Sequence, residues 1–246
     1  MKYPMLLVTL FLALIISNAP SALAQMEQGV VTIHVLYHGT VPPPEDVTVI
    51  RDPEICGTKI LLQSLTVHST SGGLKDAVVT IDGIPPPETT QTGMALMVLS
   101  NSRCSFSPHV MSLQTGSPLE IHNQDPIIHN THISNEMRTF INVAMVANGR
   151  PVAKTVAKPG LYRVQCDVHK FMGGYVLASA HPYFGVTDDH GNTKILNVPA
   201  GHHDISVWHE RLGQLQAHVS VPSNGEATAI FEFREDGTSH GRRMNR

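Results

Sequence analysis

From Val30 to Phe233 the apolar residues come in short runs, and most runs are closed by glycine or proline. Residues 30–37 and 77–81 are followed by His38-Gly39 and Asp82-Gly83, and residues 110–115 by Gly116. Proline fixes φ and glycine permits positive φ, so each cluster ends a strand or turns the chain. Helix-period stretches are scarce. Residues 47–50, 64–68, 119–122, 139–146, 151–156, 161–165 and 174–178 read as further strands. Within 119–122, Leu119 and Ile121 should face inward, and Glu120 and His122 outward. Many short strands spaced by turn signals predict an all-β protein built as a β-sandwich.

At His181 the pattern resets. Residues 183–187, 194–198, 204–208, 215–221 and 227–233 form a second, smaller set of strands. A core of that size is marginal alone. Burying Trp208, or the Tyr183-Phe184 pair, against the first domain would support it, although alternation puts Trp208 on the face of Asp204 and Ser206. The expected division is a leader over 1–24, a large domain over 28–179, a small one over 180–235 and a polar, disordered tail over 236–246.

The leader is read from Lys2, an almost wholly apolar stretch over 5–16, and small residues in Ser21-Ala-Leu-Ala24. This is the layout of a cleaved secretory signal. As a membrane anchor the stretch is short, since roughly 20 apolar residues are needed to span a bilayer. The expectation is an exported protein, periplasmic or extracellular, without a membrane span after cleavage. The net charge of −3 becomes −4 once Lys2 is removed, which gives no reason to expect a nucleic-acid partner.

Three cysteines is an odd number for an exported chain. Pairing Cys56 with Cys104 suits an oxidising compartment; the alternative is that Cys104 joins His109 at a metal. Cys166 has a different setting. It opens Cys166-Asp-Val-His169-Lys-Phe-Met172, directly after a strand that begins at Pro159-Gly160. A thiolate, an imidazole and a weak thioether form the donor set of blue-copper sites, which need one more histidine. His129, in Asp125-Pro-Ile-Ile-His129-Asn130, is the candidate. The predicted cofactor is one copper ion of the type 1 kind on His129, Cys166, His169 and Met172. Zinc is the alternative, but methionine is a poor zinc ligand. His109 and His132 are candidates for a second site. The other histidines, among them His202, His203, His209 and His240, read as a solvated face, and His190 lies in a turn that lacks the spacing of a calcium loop.

The block over 109–176 resembles the cupredoxin family, which includes plastocyanin and amicyanin. The resemblance rests on His129-Asn130, on Pro159-Gly160-Leu161-Tyr162 leading to Cys166, and on the two-residue gap between His169 and Met172, which is similar to the amicyanin loop. It implies a Greek-key cupredoxin sandwich, the same four ligands, and an Asn130 that ties the two ligand loops together. Val168 stands where the family usually has proline, residues 32–103 exceed what a minimal member needs, and His132 has no counterpart. Val186-Thr-Asp188, Val198-Pro-Ala-Gly201 and Val207-Trp-His-Glu210 resemble the carboxypeptidase regulatory-like (transthyretin-like) β domain. The whole layout is similar to bacterial plastocyanin-like proteins of the methylamine-utilisation type.

No enzyme motif accompanies these features. The leading expectation is a one-electron carrier in a respiratory or oxidative pathway, exchanging electrons with a donor or acceptor protein. The alternatives are a copper chaperone or storage protein, and a non-redox β-sandwich binding module.

Overall fold

The computed structural model describes residues 27–86, 94–136 and 138–244, so the expected leader and Pro87 lie outside the described residues. The strands are β1 (Gln28–His38), β2 (Glu45–Thr48), β3 (Lys59–Leu62), β4 (Val78–Asp82), β5 (Met97–Ser102), β6 (Ser105–Ser107), β7 (Val110–Gln114), β8 (Pro118–Asn123), β9 (His129–Asn135) and β10 (Arg138–Met145). They continue with β11 (Val152–Thr155), β12 (Gly160–Gln165), β13 (Gly173–Ser179), β14 (Phe184–Val186), β15 (Asn192–Pro199), β16 (Gly201–His209), β17 (Gly213–Val221), β18 (Glu226–Arg234) and β19 (His240–Met244). One short helix, α1 (Pro53–Cys56), lies between β2 and β3.

Side-chain alternation accounts for two separate cores. In β8, Leu119 and Ile121 point inward and Glu120 and His122 are more exposed, as the period of two predicts. Their sheet, ordered β11-β8-β5-β6, shares a core with the sheet β10-β9-β12-β13-β7 through Leu99, Leu113, Ile121, Ile133, Val164 and Val176. This is the middle sandwich. The outer sandwich pairs the sheet β15-β1-β18-β19 with the sheet β14-β4-β16-β17, around Ile33, Val79, Ile81, Ile205, Phe231 and Phe233.

These sheets redraw the expected division at 179/180. β1 and β4 belong with the C-terminal strands: β1 lies between β15 and β18, and β4 between β14 and β16. The β1–β18 pairing is parallel and runs from Val30↔Glu226 to His38↔Arg234. The middle sandwich is therefore inserted between strands of the outer one. Alternation reveals which side chains of β1 are buried, but not which edge receives the strand, because the ladder is made by backbone groups common to every residue. The two added strands also enlarge a core that looked marginal.

Two further expectations change. The tail over 236–246 is not wholly disordered: β19 pairs antiparallel with β18, from Thr228↔Met244 to Glu232↔His240. The open edge of β18 accepts a polar strand because pairing needs no apolar side chains. Residues 64–68 contribute a single bridge, Val67↔Leu74, and the strand lies earlier, at β3.

The sandwiches meet at the end of β16. Trp208 is half-buried and sets its ring edge-on to Tyr175 of β13, with centroids 4.9 Å apart. Beside it, His109 Nε2 and Glu210 Oε1 are 2.6 Å apart, and this bond to the Glu210 carboxylate holds the His109 pKa above the usual imidazole value. Another link is the β2–β3 hairpin, paired from Glu45↔Leu62 to Thr48↔Lys59. Its loop reaches the middle sandwich, carrying Asp52 and α1.

Candidate metal centre

Strand register assembles the candidate ligands. β12 is flanked by β9 and β13, with Gln165↔His132 and Val164↔Ile133 on one side and Gln165↔Gly173 on the other. Cys166 follows the end of β12, Met172 precedes β13, and His129 opens β9, so all three lie at one end of the sheet. The 166–172 loop is closed by two backbone bonds: the Met172 N–H donates to the His169 carbonyl at 2.9 Å, and the Cys166 N–H to the Met172 carbonyl at 3.3 Å. The approach to His129 is equally fixed. The Asn123 amide donates to the carbonyls of Ile127 at 2.7 Å and Met145 at 2.8 Å, and its oxygen accepts the Asp125 N–H at 3.1 Å.

Three donor atoms converge. His129 Nδ1 and His169 Nδ1 are 3.1 Å apart, and Cys166 Sγ is 3.8 Å from His169 Nδ1. All three atoms lie within 4.8 Å of one another. The residues are almost fully buried, at 0% exposure for His129 and 1% for Cys166 and His169. Cys166 is the free cysteine, and its sulfur accepts N–H groups from Asn130 and His169, each at 3.3 Å. Met172 is buried in the same cluster as Cys166. Asn130 joins the two segments: its side-chain oxygen accepts the Asp167 N–H at 3.2 Å, and its amide donates to Asn142 Oδ1 at 2.5 Å.

The outward nitrogens of both imidazoles meet carboxylates. His129 Nε2 is 2.8 Å from Asp125 Oδ2, and His169 Nε2 is 3.0 Å from Asp52 Oδ2. A carboxylate at Nε2 favours the tautomer with its proton there, which leaves the Nδ1 lone pair facing the centre. Burial keeps the His129 pKa below the usual value, against the opposing pull of Asp125. Asp125 is itself held low: burial alone would raise its pKa, but the Cys104 N–H, His129 and the Arg103 N–H outweigh it. The set has the chemistry of a soft-metal site, with one sulfur, two neutral nitrogen donors and carboxylates orienting the rings.

Cys56 and Cys104 form a disulfide, with an S–S distance of 2.01 Å, so Cys104 is not a partner for His109. Cys104 also appears in a second close group with Asp125 and His129, but its bonded sulfur leaves that group as packing of the bridge against Asp125. Cys104 and Arg103 form the β5–β6 turn with φ of 54° and 52°. Two successive non-glycine residues in the left-handed region are costly, and Asp125 steadies them by accepting both amides, at 2.7 and 2.8 Å.

The candidates for a second site are not brought together into one. His109 is engaged with Glu210 and the Gly173 carbonyl, and His132 with Thr139 and Asp167. Neither belongs to a group of close ligating atoms among the described residues. His209 departs from the solvated face assigned to it: it is 2% exposed, because β16 turns it to the same side as the core residues Ile205 and Val207. The sequence reading missed Asp125 and Asp52 as partners of the candidate ligands His129 and His169. Asp125 had a signal, four residues before His129. Asp52, followed by proline, reads as an ordinary helix start.

No family model matches this chain, and no curated protein matches it. Among solved structures, a copper-containing nitrite reductase from Thermus scotoductus SA-01 is similar at 20% identity and a TM-score of 0.32, over 38% of this chain. The match spans only 25% of the nitrite reductase chain. A reduced amicyanin variant is similar at 19% identity and a TM-score of 0.31, over 41% of this chain and 98% of its own. A purple cupredoxin from Nitrosopumilus maritimus is similar at 18% identity and a TM-score of 0.30, over 34% of this chain and 99% of its own. Likeness of this extent assigns no function, which has to rest on the donor atoms. Among the described residues, no helix is long and apolar enough to cross a membrane.

Proposed function

We propose that this protein is an exported mononuclear copper protein that carries single electrons between partner proteins. The observation that carries the reading is the convergence of His129 Nδ1, His169 Nδ1 and Cys166 Sγ within 4.8 Å in a buried pocket, with Met172 on the same loop. Copper bound by these residues would supply a one-electron couple, and a thiolate with two imidazoles accommodates both of its oxidation states. The chain's part is to hold the donors still. Asn130 fastens the 166–172 loop to β9, the N–H groups of Asn130 and His169 face the sulfur, and Asp125 and Asp52 orient the rings. A buried donor set leaves little room for a substrate, which favours a carrier over an enzyme. Residues 1–24 support export, and a disulfide persists in that setting.

The experiment is Cu(II) loading of the purified protein and its variants. The wild type is expected to bind one ion and show an intense visible sulfur-to-copper band. Cys166→Ser should abolish the band, since Cys56 and Cys104 are bonded to each other. Met172→Leu should retain the ion and shift its potential, because a thioether would be the weakest of the donors. Colour that survives in Cys166→Ser would overturn the reading.

A further inference from the structure

The β2–β3 hairpin is an unusual element to find against a buried centre. Few of its side chains are buried: Ile50 is 92% exposed and Leu61 65%, while Val49 is covered. Hydrophobic packing alone does not explain why its loop stays against the middle sandwich. Two links at the loop do. Cys56, the last residue of α1, is bonded to Cys104, and Asp52, just before α1, reaches His169.

Asp52 itself is set for this contact. It occupies the N-cap position of α1, where an aspartate side chain ordinarily accepts a helix amide. Here the side chain makes no capping bond; the Asp52 backbone carbonyl accepts the amides of Ile55 at 3.1 Å and Cys56 at 2.9 Å. Its φ of 54° is left-handed, a conformation tolerated by aspartate and asparagine more than by most residues. The carboxylate is thereby turned from its own helix to an imidazole 117 residues away in sequence.

We infer that Asp52 is a positioning residue for the metal centre, delivered by the hairpin and held in place by the Cys56–Cys104 bridge, and that it fixes the His169 tautomer and strengthens Nδ1 as a donor to the oxidised metal. This rests on the copper reading for its second half only; the tautomer is a property of the metal-free protein. The bridge serves both imidazoles. One end sits four residues after Asp52, and at the other end the Cys104 amide donates to Asp125, the partner of His129. Carboxylates in this position typically contribute ten- to a hundredfold in metal affinity.

The test is Asp52→Asn, which keeps tolerance of the left-handed backbone and removes the charge. Glu54→Gln, an exposed neighbour in α1, is the control for charge loss in the same segment. In the metal-free protein, above the imidazole titration range, long-range nitrogen–proton NMR should show His169 protonated at Nε2 in the wild type and in Glu54→Gln. Asp52→Asn should give a mixture of tautomers. With copper, Asp52→Asn should keep the visible band, lose about ten- to a hundredfold in Cu(II) affinity, and gain about 60–120 mV in potential if Cu(I) affinity is unchanged, at 59 mV per tenfold for one electron. A Cys56→Ser/Cys104→Ser double variant should move the tautomer and the potential in the same direction. A tautomer and potential unchanged in Asp52→Asn would overturn the inference. If the wild type took up no copper, the proposed function would fail, and the NMR comparison would still decide the role of Asp52.

Discussion

Replacing Cys56 and Cys104 together with serine is expected to lower the unfolding free energy by about 4 kcal/mol, on the chain entropy released when a loop of this size is opened. The bridge spans 48 residues of sequence, including β3, β4 and β5, and so joins the hairpin loop to the middle sandwich across β4, a strand of the outer one. Opening it frees the hairpin and removes a restraint on the left-handed Arg103-Cys104 turn. Denaturant melts of the metal-free wild type and double variant, compared at equal m-value, measure the difference. A loss below about 1 kcal/mol would mean that the unfolded chain is already constrained, or that the hairpin is held by other contacts.

Acid should weaken the fold through His209. Burial pushes its pKa down to about 4 from the ordinary 6.5. Above the higher value the ring is neutral in both states and contributes no pH dependence. As pH falls from about 6.5 toward 4, the unfolded chain takes up a proton that the folded one refuses, so stability is lost progressively. Below the folded value the full loss is about 3 kcal/mol, at 1.36 kcal/mol per unit. His129 and His181 are also held low by burial and act in the same direction. The measurement is therefore a difference: His209→Gln should flatten the fall in stability over that window relative to the wild type, both metal-free. Equal slopes in the two proteins would show that His209 is reached by protons in the folded state.

The features legible in the sequence are local. Cys166, His169 and Met172 share one loop, and its position after a Pro-Gly-led strand could be seen without the structure. The inward face of β8 followed from alternation, because Leu119 and Ile121 are two residues apart. What could not be read depends on which edges meet. β1 has a clear buried face, yet nothing in its side chains indicates that its parallel neighbour begins at Glu226. Its assignment to the outer sandwich therefore came only with the sheets. Asp52 illustrates the same limit at the site: its local signal is that of a helix start, and its partner is brought to it by a hairpin and a disulfide. His209 was hidden in another way. Alternation puts residue 209 on the face of Ile205 and Val207, but the strand expected from the sequence stops at Trp208, whereas β16 continues through His209 and carries it into the core.

X-ray absorption at the copper edge of the Cu(II)-loaded wild type tests the central claim most directly. It reads the atoms around the ion without assuming a fold or a partner. One copper per chain, bonded to one sulfur and two nitrogen atoms, is the predicted result, and in Cys166→Ser the copper–sulfur bond should be absent. Copper bound by nitrogen and oxygen donors alone, or no stoichiometric copper after loading, would contradict it.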